Sequence, residues 1–260
     1  MYVRRENRAV LQRARLAVAG TAACLWLTAV AGATVIDFEG FENGREIGGG
    51  AHGGMFQPYA SLFTLTANSN GSPTQGAAIF DSNPFGPNAT GNDPDLLVGL
   101  GNILILQNDN LSAQTVPGIY DTPNDEPDGG MMVFDFLFPV ELLSLDLIDI
   151  NGNGSADVIL QDSAGATRTY DVPMHWTLDI FVSGRDGYDT LDLTTLDPQL
   201  GEGGGTATAS QDALFDSLDV VKLTLIQSGS AGLDNLVLIP APSALILLAG
   251  GLLAPRRRRR

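Results

Sequence analysis

Residues 131–160 read MMVFDFLFPVELLSLDLIDINGNGSADVIL, and this stretch decides the fold. A proline separates two strands predicted at 131–136 and 141–150, and apolar residues alternate with polar ones in the second of them. The turn-forming residues 151–154 follow, so we expect a β-hairpin that leads into a third strand at 157–160. Three strands within so short a stretch indicate a β-rich protein.

Short β-rich runs recur on both sides of this stretch, between loops rich in Gly, Pro and Asn. The continuous apolar run 103–106 is typical of a strand buried on both faces. The pattern predicts a single all-β domain at 34–239, built as a β-sandwich rather than from helices. The other predicted strands are 34–38, 62–66, 77–80, 103–106, 167–172, 176–182, 219–226 and 232–238.

The N-terminal residues have the pattern of a secretory signal peptide. Five arginines within residues 4–15 precede an apolar run, 16–30, and the small-residue cleavage site Ala31-Gly32-Ala33. We therefore expect residues 1–33 to form a cleaved signal helix and Thr34 to begin the mature protein.

The C-terminal segment, residues 240–260, has three parts. The apolar run before the final proline and arginines would form a helix of about 18 Å, against a hydrocarbon core of about 30 Å. The helix is too short to cross the bilayer as a stable transmembrane segment. The arginines would stay on the cytoplasmic side. The segment therefore predicts a short hydrophobic helix that acts as a processing signal, with a plain membrane anchor as the alternative. Its defining residues are Pro240, Ala241, Pro242, Arg256, Arg257, Arg258, Arg259 and Arg260.

This tripartite tail resembles the PEP-CTERM sorting signal of Gram-negative bacteria, although Ala241 stands where that family has a glutamate. The resemblance implies an exosortase-type sorting enzyme and the secretion machinery as partners. It also implies transient anchoring in the inner membrane, followed by delivery to the cell surface or the extracellular matrix.

Several short sequence motifs in the middle of the chain resemble those of a group of exported β-sandwich domains with varied surface-anchoring tails. The resemblance spans residues 34–239 and implies a jelly-roll-like antiparallel β-sandwich. It supports the fold more than any function. The motifs are Asp93-Pro94-Asp95-Leu96, Gly101-Asn102-Ile103-Leu104-Ile105, Pro123-Asn124-Asp125-Glu126, Gly129-Gly130 and Leu145-Asp146-Leu147-Ile148-Asp149.

The charge of the predicted mature domain limits its partners. Residues 34–239 carry 29 acidic and four basic side chains, a formal charge of −25. Such a surface argues against nucleic acid and anionic membranes, and it suits divalent cations or simple solvation. The single cysteine, Cys24, lies in the predicted signal peptide, so the mature domain has neither a disulfide nor a thiolate metal site.

Calcium is the candidate cofactor. Its predicted ligands lie on the first and last strands of the domain. In jelly-roll carbohydrate-binding modules, which this pairing resembles, the first and last strands are neighbours and can share a structural calcium. Asp37 and Glu39 on the first strand and Asp234 on the last are the candidate ligands. The alternative is that Asp37 and Asp234 cap the ends of strands and bond to turns.

Two further acidic stretches are weaker calcium candidates. The loop that begins at Asp149 starts like an EF-hand, but Leu160 occupies the position of the bidentate glutamate, so a hairpin turn is the better interpretation. The long loop 108–130 either binds a metal or is solvated. Its acidic residues are Asp109, Asp121, Asp125, Glu126 and Asp128.

We find little sign of catalysis. No serine lies in a Gly-x-Ser-x-Gly elbow, and the only histidines are His52 and His175. Trp176, beside His175 and Tyr170, is either part of a sugar-stacking platform or part of the core.

The expected function is therefore that of a non-enzymatic structural or binding protein. A calcium-dependent carbohydrate-binding module with an exopolysaccharide ligand is the first alternative. A glycan-active hydrolase is the second.

Overall fold

The computed structural model describes residues 32–49, 59–70, 76–89, 93–151, 154–178 and 186–241. These residues fall in one compact unit that begins at residue 31. They form β-strands and two short 3-10 turns, and they contain no α-helix, so the all-β prediction is confirmed. The predicted signal helix and C-terminal helix lie outside the described residues. Nothing helical within the described ranges is long and apolar enough to span a bilayer.

Thirteen strands are present in the described part of the chain, and all their pairings are antiparallel. In order they are β1 Thr34–Ile36, β2 Glu46–Ile47, β3 Phe63–Ser69, β4 Ala77–Asp81, β5 Asn102–Leu106, β6 Gly130–Ile148, β7 Ala156–Asp162, β8 Thr167–Val172, β9 Tyr188–Asp192, β10 Gln199–Leu200, β11 Thr206–Gln211, β12 Val220–Gln227 and β13 Gly232–Pro240.

Strand β6 organises the fold because it belongs to two sheets. Its first half pairs with β3 and β12, and its second half pairs with β13 and β9. The first sheet therefore has the order β10-β11-β8-β7-β12-β6-β3. The second sheet has the order β9-β6-β13-β5-β4-β2, and β1 also pairs with β13. The fold is sandwich-like, with one strand shared by both layers.

The sequence predicts two strands separated at Pro139, but the structure has one strand of 19 residues. The proline lies where β6 passes from one sheet to the other. Residues 137–139 have no partner in the ladders to β3, β12 or β13, so the missing N–H of Pro139 interrupts no ladder. Its carbonyl still accepts a hydrogen bond from the Ala241 N–H at 3.0 Å.

The predicted hairpin at 151–154 is wrong. Strand β7 pairs with β8 and β12 in the first sheet, whereas the second half of β6 lies in the second sheet. Residues 149–155, which we call the crossing loop, therefore connect the two layers. Turn chemistry is local, whereas the partner of a strand depends on which apolar face it buries.

The larger core lies between the two sheets. It contains apolar side chains from both layers, among them Leu225 of β12 and Leu233 of β13. A smaller core covers the outer face of the second sheet, where Leu96 packs with side chains of the strands beneath it. The run 103–106 contributes alternately to both cores, which confirms the predicted strand buried on both faces.

The described fold begins and ends close to the predicted segment boundaries. Strand β1 starts at Thr34, and β13 runs to Pro240. Ala241 is buried and hydrogen-bonded, so the fold includes two residues of the segment predicted as a sorting tail. The other tail residues, Pro242 and the arginines 256–260, lie outside the described residues.

Candidate functional site

The first and last strands are neighbours, as the resemblance to jelly-roll modules implied. Strand β1 pairs with β13 through Thr34 with Leu238 and Ile36 with Leu236. Asp37 follows directly after Ile36, and Asp234 lies two residues before Leu236. The pairing therefore brings these two predicted ligands to the same end of the β1–β13 ladder.

A bulge in β13 turns Asp234 away from the large core. Leu233 and Leu236 both point into that core, with two residues between them instead of one. The second of these, Asn235, has a positive φ of 46°, and the register shifts between Asp234 and Val237. A bulge of this kind re-aims side chains locally. It places Asp234 beside Asp146, its register partner on β6.

Asp234 is a buried acid without enough hydrogen bonds to hold a full charge. It is 1% exposed, and Oδ1 has no hydrogen-bond partner among the described residues. Burial raises the pKa of Asp234 to about 8, the Asn235 N–H opposes the rise, and the charges of Asp146, Glu39 and Asp37 add to it. At neutral pH this carboxyl is therefore neutral unless a cation lies beside it.

Asp37 and Glu39 are exposed and lie near Asp234. Both carboxylates accept hydrogen bonds from backbone N–H groups. The Glu39 N–H donates to Asp37 Oδ1 at 3.3 Å, and Glu39 Oε1 accepts from the Asn102 N–H at 2.9 Å. Gly101 allows this approach, because a Cβ at that position would overlap the Glu39 carboxylate. Both carboxylates therefore accept hydrogen bonds from backbone N–H groups, as the capping alternative expects for Asp37, and both lie within electrostatic range of Asp234.

Sequence reasoning missed Asp146, the fourth carboxylate of the group. It is 6% exposed and accepts from Asn235 Nδ2 at 2.8 Å and from Thr190 Oγ1 at 2.5 Å. The alternation in 141–150 correctly separates its face from that of Leu145 and Leu147, but it does not reveal that loops cover this second face. The only sign of its role in the sequence is that Asp146 is a single carboxylate within an apolar run. We call Asp37, Glu39, Asp146 and Asp234 the strand-end acidic group.

An aromatic ring borders the strand-end acidic group. Tyr59 stacks on Phe63 at 5.5 Å between centroids and meets Phe38 and Phe41 edge-on. Burial is the main cause that raises the pKa of the Tyr59 hydroxyl, and the charges of Asp37, Asp234 and Glu39 raise it further. The tyrosine hydroxyl therefore lies within electrostatic range of all three predicted ligands.

The strand-end acidic group can bind a proton or a cation, but it is not a complete coordination sphere. Over the described ranges, no three or more His, Cys, Asp or Glu side chains are arranged to hold a metal ion. Calcium takes six to eight oxygens and accepts backbone carbonyls and water among them. A calcium ion here would need such oxygens beside the carboxylates.

Of the two interpretations of Trp176, the structure confirms the core position rather than a sugar-stacking platform. Trp176 is 1% exposed, and the backbone of Gly201 lies against its ring. Tyr170 is fully buried, and its hydroxyl donates to the Leu193 carbonyl at 2.6 Å. Neither ring has a face for a sugar. His52 lies outside the described residues.

The acidic loop divides into solvated and buried residues. Asp121 and Asp128 are exposed, as expected for a solvated loop, but Asp125 and Glu126 are buried. Glu126 has a structural role, because one of its oxygens, Oε2, accepts from Ser69 Oγ at 3.1 Å and from the Asp109 N–H at 2.9 Å.

The strand-end acidic group therefore contains all three residues predicted as calcium ligands, together with Asp146. Its position follows from the β1–β13 pairing and from the bulge at Asp234. No protein-family model matches the sequence, and no curated protein matches it.

Proposed function

We propose that this protein is an exported, non-catalytic domain with a structural or binding role at the cell surface or in the extracellular matrix of a Gram-negative bacterium. The observation that carries the proposal is where the fold begins and ends. The strands occupy the chain from Thr34 to Pro240, between the signal-peptide pattern and the PEP-CTERM-like tail. The fold extends into the C-terminal segment only as far as Ala241, so the domain keeps its core when the residues before 34 and after 241 are removed.

The pairing of the first strand with the last also supports a jelly-roll-like assignment for this β-sandwich. The C-terminal end of the fold limits the position at which a sorting enzyme can cut the chain. Ala241 is buried and bonded to Pro139, so a cut before Pro240 would remove part of β13. An exosortase-type enzyme would leave the fold intact by cutting after Ala241.

The arginine cluster provides a test of sorting. The full chain is expressed in a Gram-negative host with an exosortase, and the five arginines 256–260 are changed together to alanine. We expect the wild-type chain at the cell surface or in the medium and the alanine variant displaced from it. The matched control changes the same five residues to lysine, which keeps the positive charge and should preserve sorting. Equal distribution of the wild-type chain and the alanine variant would argue against the proposal.

A calcium-dependent carbohydrate-binding module is the second candidate function. The observation in its favour is the strand-end acidic group with Tyr59 at its border, because an ion and an aromatic face can hold a sugar together. Binding to exopolysaccharide with calcium should be lost in Asp234→Asn and retained in Asp128→Asn, a matched change at an exposed site. A glycan array without hits, with and without calcium, would exclude this function.

A further inference from the structure

The described fold covers the outer face of one sheet and leaves that of the other open. Loops and the 3-10 turn at Leu96 pack a smaller core onto the outer face of the second sheet. On the first sheet, side chains of β3, β6, β7, β8, β11 and β12 that alternate with the large core are partly or fully exposed. This six-strand surface is therefore available to a partner.

The central row of this surface consists of β-branched and hydroxyl side chains. The ladders set six residues side by side, one from each strand: Thr66, Val133, Thr224, Ile159, Thr169 and Ser210. The row is neutral, although the domain 34–239 has a formal charge of −25. Such side chains pack well on a pleated surface.

Apolar side chains next to the central row enlarge the neutral area. Met131 and Ile226 are register partners, and they are 36% and 38% exposed. Each lies two residues along its strand from the central row, next to Val133 and Thr224. An exposed apolar area with a polar border is typical of a protein–protein interface.

Two flanking rows border the central row, and they differ in chemistry. Each has one residue from β3, β6, β12, β7 and β8, in that order. The first flanking row is Asn68, Met131, Ile226, Asp157 and Asp171. The second flanking row is Thr64, Asp135, Lys222, Gln161 and Thr167. We call the three rows together the open face.

Two carboxylates of the first flanking row repel each other. Asp157 and Asp171 lie directly opposite across the β7–β8 ladder, an arrangement that destabilises a sheet. Burial and the charge of Asp171 raise the pKa of Asp157. Lys222, the one basic side chain among the described residues of the open face, pairs with Asp135 at 3.3 Å. Donors from another molecule would therefore relieve the repulsion.

We propose that a second copy of the chain packs on the open face, about a two-fold axis that runs along the central row. This axis sets the central row against itself, and it sets each flanking row against the other flanking row of the second copy. Asp157 then meets Gln161, and Asp171 meets Thr167, so each carboxylate of the repelling pair faces a donor. A surface that complements itself is what a two-fold dimer requires.

The size and charge of the open face suit a weak dimer. Six strands about 4.8 Å apart and three rows about 7 Å apart give roughly 600–700 Å² per copy once side chains are included. The total of about 1,200–1,400 Å² is at the low end of specific interfaces. The open face holds three of the 29 acidic side chains of residues 34–239. Most of the repulsion between copies therefore arises elsewhere, and salt screens it.

Sedimentation of the full chain in detergent, over a wide range of protein and salt concentrations, tests the dimer. We expect a monomer–dimer equilibrium with a Kd of roughly 10⁻⁶–10⁻⁴ M. Association should become tighter at higher salt, because both copies are acidic. A wild-type chain that stays monomeric up to about 300 µM, above the whole expected range of Kd, overturns the proposal.

Two variants with the same change of charge assign the association to the open face. Thr224→Lys places a lysine at the axis, opposite its own copy, and should weaken association at least about tenfold. Thr122→Lys, at an exposed position of the acidic loop, should associate as the wild type does. Association through the hydrophobic ends of the chain predicts that the two variants associate equally, and that result overturns the proposal.

Gln161 and Asp157 test the direction of the axis. They lie four residues apart on β7, about 13 Å, so they can meet only between copies. Gln161→Glu should weaken association roughly 3–30-fold, because it opposes Asp157 of the second copy. Adding Asp157→Lys to Gln161→Glu should restore association.

An axis along the strands makes the opposite prediction. It would place Gln161 against Lys222 of the second copy, so Gln161→Glu would strengthen association. That result, or a double variant that associates no better than Gln161→Glu, overturns the proposal. If Thr224→Lys fails to fold, the Gln161→Glu and double variants still decide. Failure of the dimer leaves the proposed export untouched, because association is measured on the purified chain.

Discussion

Asp234 needs a proton or a cation because the fold buries it beside three other carboxylates. It is nearly inaccessible, and Asp146 lies next to it across the β6–β13 ladder. Burial and these charges raise the pKa of Asp234 to about 8. The residue therefore couples the stability of the domain to pH and to cations.

The coupling of Asp234 to pH has a definite sign. Between about pH 4 and pH 8 the folded protein holds a proton on Asp234 that the unfolded chain has lost. The folded state therefore binds more protons, and the free energy of unfolding of the cation-free protein should fall as pH rises through this window. Asp234→Asn should reduce that fall and raise the free energy of unfolding at pH 8 by roughly 2–5 kcal/mol. Urea unfolding at several pH values in a chelator measures it.

Asp128→Asn is the control for this prediction, because it makes the same change of charge on an exposed side chain. It should leave the slope of stability against pH as in the wild-type protein. A wild-type stability that rises between pH 4 and pH 8, with no effect of Asp234→Asn on the slope, would contradict the role given to Asp234.

The second prediction compares two glycines with the same backbone angle. Gly101 and Gly165 have φ of 90° and 89°, but only Gly101 has a carboxylate where a Cβ would lie. Gly165→Ala should cost about 1–2 kcal/mol from backbone strain alone. Gly101→Ala should cost about 1 kcal/mol more, because Glu39 would lose its bond to the Asn102 N–H. Denaturant midpoints at unchanged slope give both values, and equal costs would show that the Glu39 contact contributes nothing.

Of the four carboxylates in the strand-end acidic group, the sequence predicted three. Asp37, Glu39 and Asp234 follow from the expected neighbourhood of the first and last strands. Asp146 does not, because its face appears solvent-exposed from alternation alone. From the sequence, Asp125 is only one of several acids in a loop, because the burial of a loop residue depends on the layer beneath it.

Strand β6 joins the two sheets, and positions along it differ in whether they tolerate a proline. Val133 pairs with Thr66 of β3 and Thr224 of β12, so the strand is central at that point. Pro139 lies in the unpaired crossing between the sheets. A proline is therefore acceptable at one position and disruptive at the other.

The third prediction follows from this difference. Val133→Pro should cost about 3 kcal/mol or more, because it removes a ladder hydrogen bond and adds a ring to a central strand. Pro139→Ala should change the free energy of unfolding by less than about 1 kcal/mol. Thermal or urea unfolding of the two variants compares them. A larger loss in Pro139→Ala than in Val133→Pro would refute the account of the crossing.

Elements with a clear local pattern were predicted well. Strand β8 begins and ends where the sequence predicts, at Thr167 and Val172. Strands β2, β9, β10 and β11 were not predicted, and for β2 and β10 two residues are too few to show alternation. The strand predicted at 176–182 is absent over residues 176–178, its described part. The hairpin prediction at 151–154 failed because the residues there favour a tight turn, and nothing local reveals that the chain changes sheets.

The molecule as a whole is an acidic sandwich-like domain between two segments with export patterns. Composition and strand spacing were enough to predict the all-β class. The strand-end acidic group was predictable only in part, because Asp146 comes from a strand far from both ends of the domain in sequence. Asp234 is the most buried member of that group, and its Oδ1 has no hydrogen-bond partner among the described residues. A proton or cation bound at Asp234 is therefore expected to affect the stability of the whole domain.

Mass spectrometry of the exported protein tests the central claim most directly. In a Gram-negative host with an exosortase, we predict a mature chain that begins at Thr34 and lacks the arginines 256–260. Its last residue should be Ala241 or lie beyond it, because Ala241 is buried against Pro139. Peptides that extend to Arg260 in the mature protein, or an N-terminus that retains residues 1–33, would contradict the account.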